Sequence, residues 1–428
     1  MKNICFYFQV HQPFRLRNFH FFEIGSNSNY FDEQANMAIL KKVAYNCYFP
    51  ANEALLQLIR EHGKRFKVSF SISGTALDQF EKYMPELIDS FKTLAATGCV
   101  EFLGETYAHS LAAIKSKAEF EQQVQAHSDR IEALFGKRPE VFRNTELIYA
   151  DFIGDVIADM GFKGMLAEGA LQVLGWKSPN YLYTSATAPH LKLLLKNFRL
   201  SDDIAFRFSD GNWAEHPLTT DKYIHWLNEI SEEEQIVNLF MDYETFGEHQ
   251  WKSTGIFDFL RDFPGALLKD SDYCFVTPSE AIELLTPVAS IAMPAPVSWA
   301  DEERDLTAWL GNDLQDDAFE NLYNLEDKVK LLNHPQVNME WLYLQTSDHF
   351  YYMCTKFFAD GDVHKYFNPY GSPFDAFINY MNVLSDFTIK LDRMLKEKNN
   401  TKKLIRIDRD VIVSVKDVTA GKSYPLRS

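Results

Sequence analysis

The chain has 428 residues, 46% apolar and 24% charged, a globular balance with room for one large α/β barrel plus an addition, or for about two to three ordinary domains. Its formal net charge of -17 argues against nucleic acid or an anionic membrane surface as partner, because phosphate binding requires basic patches. Five cysteines, odd in number, widely spaced and without a C-x-x-C pair, fit reduced thiols in a cytoplasmic protein better than a disulfide framework or a zinc site. The opening residues lack the plan of a secretory signal, and no run of 18 uncharged apolar residues marks a membrane span.

Short apolar runs alternate with longer amphipathic stretches. Strands are expected at 4–10, 66–72, 99–104, 141–146, 163–168, 191–198, 236–243 and 273–278. Between them, Ala51–Phe66 closes on Gly63 with basic residues near its end, and Met84–Gly98 carries Pro85 in a first turn. Lys117–Pro139 has apolar positions at helical spacing and stops at Gly136, and Asp151–Phe162 is a shorter helix. Strands alternating with helices imply βαβ units and a parallel sheet, and seven or eight repeats favour a closed barrel over an open sheet. From about Ser290 the pattern turns helical, at 317–332, 336–357 and 373–398, and the weakly alternating 404–428 reads as an edge strand or tail. The expected division is a barrel over 1–290 and a mainly helical domain over 291–428 that completes the active-site cleft.

Several strands run straight into polar residues at their C-terminal ends. The first ends in His11 and Gln12, the third in Gly104-Glu105, the fourth in Arg143, Asn144 and Glu146, and the seventh in Asp242 and Glu244. In a barrel these ends share one face, where active sites are built. Taken singly, each residue has a plainer reading. His11 can be a hydrogen-bonded core histidine, Glu105 and Glu146 can be N-terminal helix acids, and Arg143 can be a salt-bridge partner. Asp242 resists such a reading, because an acid closing so apolar a strand is costly unless it is paired or functional. Glu248 and His249 read as loop or helix-start residues.

No two of the 12 histidines stand three or four apart, which argues against a zincin-like site; a metal drawing on distant residues such as His11, Asp242 and His249 stays open. G-x-S-x-G and G-x-G-x-x-G are absent, leaving serine-nucleophile and dinucleotide chemistry unsupported. Two carboxylates from different strand ends fit glycoside hydrolysis, where one attacks or stabilises the anomeric carbon and the other protonates the leaving oxygen.

The segments "FQVHQP", "EFLGETYAHSL", "FRNTELIY", "MDYETFGEHQ" and "SWADEERDLTAWLGN" resemble, in order, the five motif regions of glycoside hydrolase family 57. "LQTSDHFYYM" at 344–353 is similar to its α-amylase-type members. The resemblance implies a (β/α)7 barrel followed by a helical bundle, working by retention on α-glucans with no cofactor and no metal. It implies that Glu146 is the nucleophile and Asp242 the general acid/base. It also makes His11, Glu105 and Glu244 sugar-contacting, Asp305 the acid of the fifth motif, and Trp309 a stacking residue. Gln12 and Arg143 join them as substrate-binding candidates. Gln9 stands where many members carry a further histidine. The expected activity is cleavage of α-1,4-glucosidic bonds in α-glucans or maltooligosaccharides. The same motifs also fit a 4-α-glucanotransferase, a branching enzyme or a catalytically silent glucan-binding protein.

Overall fold

A computed structural model describes residues 2–26, 28–270, 272–356 and 368–419 of the chain. The eight expected strands are present: β1 (Lys2–Val10), β2 (Val68–Ile72), β3 (Val100–Phe102), β4 (Val141–Arg143), β5 (Gly164–Glu168), β7 (Lys192–Lys196), β8 (Ile236–Asp242) and β9 (Tyr273–Phe275). Two more, β6 (Tyr183–Ser185) and β10 (Ala289–Ile291), were not expected from the sequence; like β3, β4 and β9 they have three residues each.

The strands form two sheets rather than the closed barrel expected from the repeat count. One runs β3-β2-β1-β8, with β9 beside the start of β1, and the other runs β10-β6-β7-β5-β4. All pairings are parallel except β6 with β7. The sheets meet at two seams. At one, β3 and β4 are so short that only Gly104 and Phe142 pair, through Gly104 N–H to the Val141 carbonyl at 2.9 Å and Arg143 N–H to the Gly104 carbonyl at 2.8 Å. At the other, Asn197 caps the helix Phe198–Ala205, so β7 stops. Asn197 N–H then reaches the Asn238 carbonyl at 2.9 Å, and Asn238 Nδ2 donates to the Leu195 carbonyl at 2.8 Å.

Strand parity divides the core. Along β1, Ile4, Phe6, Phe8 and Val10 pack with the surrounding helices, whereas Cys5 and Tyr7 pack with Leu166, Leu194, Ile236 and Phe240 in the space between the two sheets. Side chains alternate on a strand, so the next members of these inward rows are Gln9 on β1, Glu168 on β5, Lys196 on β7 and Asp242 on β8. An apolar interior thus changes to a polar layer at the C-terminal ends of the strands.

The C-terminal region is helical but broken differently from the sequence reading. The expected 317–332 is two helices, Asp313–Tyr323 and Glu326–Leu332, and 336–357 is Pro335–Leu344 and Ser347–Tyr351, with residue 357 outside the described residues. The second break has a tertiary cause: Thr346 bridges to Ser110, and Ser347 N–H donates to the His109 carbonyl at 3.0 Å. The stretch from 404 is not an edge strand. It continues the helix Pro373–Thr419, which meets neither glycine nor a further proline before Gly421, and residues 420–428 lie outside the described residues. Among the described residues, no helix is long and apolar enough to cross a membrane.

The Asn238 seam carries a prediction. Replacing Asn238 by Leu leaves the buried Leu195 carbonyl without its side-chain donor and should cost about 1–3 kcal/mol. The urea midpoint should fall with little change in slope, and an unchanged midpoint would count against a seam held by this bond.

Candidate active site

A cleft opens over the C-terminal ends of β1 and β8, with His11, Gln12, Glu146, Asp242 and Glu244 all on its wall. Register explains part of this, since Gln9 on β1 stands directly opposite Asp242 on β8. Five of the residues singled out from the sequence therefore share one pocket, together with Gln9, His109, His249, Trp299 and Asp348.

Glu244 follows Asp242 in a tight turn, Tyr243–Thr245. The Tyr48 hydroxyl donates to Glu244 Oε1, and Gln12 Nε2 donates to that hydroxyl at 3.3 Å. Tyr48 ends a single π-helical turn, Ala44–Tyr48, a deviation frequent at functional sites. Cys47 Sγ in the same turn donates to the Tyr243 carbonyl at 3.1 Å. The loop behind Asp242 lies so close that a Cβ on Gly247, whose φ is +119°, would stand 2.0 Å from the Asn46 carbonyl oxygen. Glu248 is buried and fastens the same contact, accepting from Asn46 Nδ2 at 2.7 Å and pairing with Lys42 Nζ at 3.0 Å. It is a clamp, whereas its neighbour His249 reaches the cleft.

Glu146 sits just past β4 with φ 54°, in the left-handed region that costs a non-glycine residue about 1–3 kcal/mol. Its carboxylate is held from two sides. Trp299 Nε1 donates to Oε2 at 2.6 Å, and His109 Nε2 lies 3.2 Å from Oε1. His109, itself left-handed at φ 51°, places Nδ1 3.1 Å from the fully buried Glu105, which also receives Gln9 Nε2 at 3.4 Å. The His109 ring stacks on His11 with centroids 4.0 Å apart, and His11 bonds Ser73 Oγ at 2.7 Å and Asp348 Oδ2 at 2.9 Å.

Burial alone would lower the His109 pKa, but its bonds to Glu105 and Glu146 outweigh burial and push it up to about 9, so the ring is a cation at neutral pH. Glu105 answers in kind: burial would raise it, yet His109, with help from His127 and Arg143, leaves it below its ordinary value. His11 is lowered, first by burial and then by the charge of His109. Glu244 is pushed up to about 8, chiefly by burial and then by Asp242. The arrangement thus offers one carboxylate held by donors and another acid carrying a proton at neutral pH.

Four sequence candidates stand away from the cleft wall. Glu105 lies behind His109. Arg143 is fully buried, with its guanidinium carbon 4.7 Å from the Trp299 ring centre. Asp305 turns its carboxylate onto its own loop, accepting from Thr307 N–H at 2.8 Å and from the Thr307 hydroxyl. Trp309 is 1% exposed, a core residue beside Tyr351. The tryptophan that reaches the cleft is Trp299, carried there because Val297 pairs with Tyr149 and Trp299 N–H donates to the Glu146 carbonyl at 3.2 Å. Sequence reasoning missed His109, Trp299 and Asp348 as site residues. His109 had one signal, standing four residues after Glu105. Among the described residues, no three His, Cys, Asp or Glu side chains form a group that could hold a metal ion.

Residues 5–294 match the family described as glycosyl hydrolase family 57. A protein of Methanocaldococcus jannaschii named "Putative alpha-amylase" is 43% identical over 420 residues, covering 94% of this chain and 88% of that one. The chain belongs to glycosyl hydrolase family 57 and is a glycoside hydrolase. Among solved structures, the family 57 branching enzyme of Pyrococcus horikoshii superposes with a TM-score of 0.64 at 15% identity, over 92% of this chain and 91% of that one. The 4-alpha-glucanotransferase of Thermococcus litoralis gives 0.61 at 17% identity over 82% of this chain, which spans only 56% of its length. At such identities the likeness speaks to the fold.

The state of Glu244 can be tested through stability. Its carboxyl keeps its proton up to about pH 8 in the fold but only to about 4.5 when exposed, so folding takes up a proton and stability falls as pH rises between those values. Glu244→Gln keeps an oxygen for Tyr48 and removes that penalty. Its melting temperature should exceed the parent's by about 2 °C or more at pH 7.5 and match it below pH 4.5. A difference independent of pH would contradict the assignment.

Proposed function

We propose that the chain cleaves α-1,4-glucosidic bonds of α-glucans or maltooligosaccharides with retention, Glu146 acting as nucleophile and Asp242 as general acid/base. The observation that carries this reading is the unequal treatment of acids around one cleft. Glu146 accepts from Trp299 and faces the His109 cation, while Asp242 stands beside Glu244, the acid that keeps a proton to about pH 8. The charge of Asp242 helps to keep the proton on Glu244, so the two acids interact directly beside the cleft.

In the first step Glu146 attacks the anomeric carbon as the glycosidic bond breaks, and Asp242 gives its proton to the departing oxygen. In the second, Asp242 takes a proton from water, the water oxygen bonds to the anomeric carbon, and Glu146 leaves as a carboxylate. His109 and Trp299 stabilise that carboxylate at both ends of the cycle. We assign contacts with sugar hydroxyls to His11, Gln12 and Glu244, on the ground that all three line the cleft. Glu105 acts through His109 and Arg143 through Trp299, neither of them touching sugar. The alpha-amylase name of the 43% identical relative supports a glucan substrate. We read the seven parallel strands, from β8 through β1, β2 and β3 to β4, β5 and β7, as an interrupted barrel whose ring passes through the two seams. The helical region after residue 290 completes the cleft with Asp348.

Alanine at Glu146 should abolish release of reducing ends from soluble starch, and alanine at Asp242 should lower it by about 10²–10⁴-fold. Proton NMR of the product first released by the parent should show the α-anomer. Full activity of Glu146→Ala or first release of the β-anomer would refute the reading. Longer chains or new α-1,6 branches formed from maltoheptaose would assign transfer to sugar in place of water.

A further inference from the structure

Behind the cleft lies a buried group of charges that the chemistry above does not use. Glu168 ends the inward row of β5 and Lys196 that of β7, in register with each other. Lys196 Nζ is 2.9 Å from Asp202 Oδ1 and 3.9 Å from Glu168 Oε2. Arg304 faces the same two acids, with Nη1 3.7 Å from Glu168 Oε2 and Nη2 3.7 Å from Asp202 Oδ2. Two cations and two acids, nearly all out of water, are costly to bury and are weak evidence for stability as such. What they surround is informative.

Arg304 Nη1 also donates to the Trp299 carbonyl oxygen. The segment between them is a tight strap, closed by Ser298 N–H to the Arg304 carbonyl at 3.1 Å and by Ser298 Oγ to the Asp305 carbonyl at 2.6 Å. It holds Asp301 at φ 54° and Arg304 at φ 53°, conformations that persist only where the surroundings impose them. The Trp299 ring receives Lys196 Nζ 5.2 Å from its centre and the Arg143 guanidinium 4.7 Å from it. Both cations are attracted to the indole face and draw on its electrons, which strengthens its N–H as a donor. That N–H is the one on Glu146 Oε2.

We propose that Glu168, Lys196, Asp202 and Arg304 form a positioning device for the nucleophile, anchoring the 298–305 strap so that Trp299 Nε1 stays on the Glu146 carboxylate. The device touches no substrate and acts through Trp299 alone. The inference rests on Glu146 being the nucleophile. A displacement of about 1 Å at a reacting group can cost on the order of 100-fold in rate, which sets the scale for losing the anchor.

The test is a double-mutant cycle on kcat and KM with maltoheptaose. Trp299→Phe removes the donor and keeps an aromatic face, and Arg304→Met removes the anchor. Each should lower kcat by about 10- to 100-fold, Arg304→Met with KM changed less than about 2-fold. The double variant should be no slower than Trp299→Phe alone, because both act through one bond. Arg304→Lys, which restores a cation between the two acids, should regain part of the lost kcat. Should Arg304→Met fail to fold, Asp202→Asn takes its place in the cycle, since it loosens Arg304 and Lys196 while keeping the side-chain shape. Losses that multiply independently, or an Arg304→Met effect confined to KM, would overturn the proposal. Glu146→Ala with added azide separates the two readings. A glycosyl azide of inverted configuration upholds Glu146 as nucleophile whatever the cycle reports, and its absence overturns the nucleophile assignment and this proposal with it.

Discussion

The site depends on one constraint, the alternation of side chains along parallel strands whose inward rows change from apolar to polar at the C-terminal end. On β8 the row passes Ile236 and Phe240, both in the interior core, and reaches Asp242 at the cleft. On β1 the row through Cys5 and Tyr7 delivers Gln9, in register with Asp242, and then His11. Slipping either strand by one residue would turn its acid or imidazole toward the helices and bring Phe8 or Val10 of β1, or Met241 or Tyr243 of β8, into the place of Gln9 or Asp242. The ladder of seven residue pairs between β1 and β8 therefore sets which side chains reach the cleft.

The same layer crowds acids that water would otherwise solvate, and each is answered separately. Glu105 and Glu146 share the His109 cation between them. Glu244 has a tyrosine hydroxyl and keeps its proton. Glu168 has Lys196 and Arg304. Proximity to a cation does not settle the matter alone: His109 leaves Glu105 below its ordinary value, whereas burial pushes Glu168 up to about 7 in spite of Lys196 and Arg304. Left-handed backbone at His109 and Glu146 shows that the chain accepts local strain to bring these groups together.

Much of this was legible in the amino-acid sequence. The eight expected strands announce themselves as apolar runs, and the polar residues at their ends pointed to the pocket that holds His11, Gln12, Glu146, Asp242 and Glu244. Legibility failed where local pattern yields to tertiary contact. β6 and β10 carry three residues each and exist through their neighbours. The break at Gln345 comes from docking on the loop of His109, and that docking brings Asp348 to His11. Barrel closure could not be read from a repeat count, because it turns on how Gly104 and Asn197 end their strands. In the fifth motif, Trp299 and Trp309 look equivalent on paper. Pairing of Val297 with Tyr149 sends the first to the cleft, and the helices take the second into the core.

The central claim is that Glu146 forms the covalent bond to sugar. The most direct measurement is to trap that bond with a 5-fluoro-α-glycosyl fluoride, digest the protein and locate the added mass by peptide sequencing. The account predicts a single glycosyl group on Glu146. A label on Asp242 or another carboxylate, or turnover of the reagent with no covalent species at any time, would contradict it.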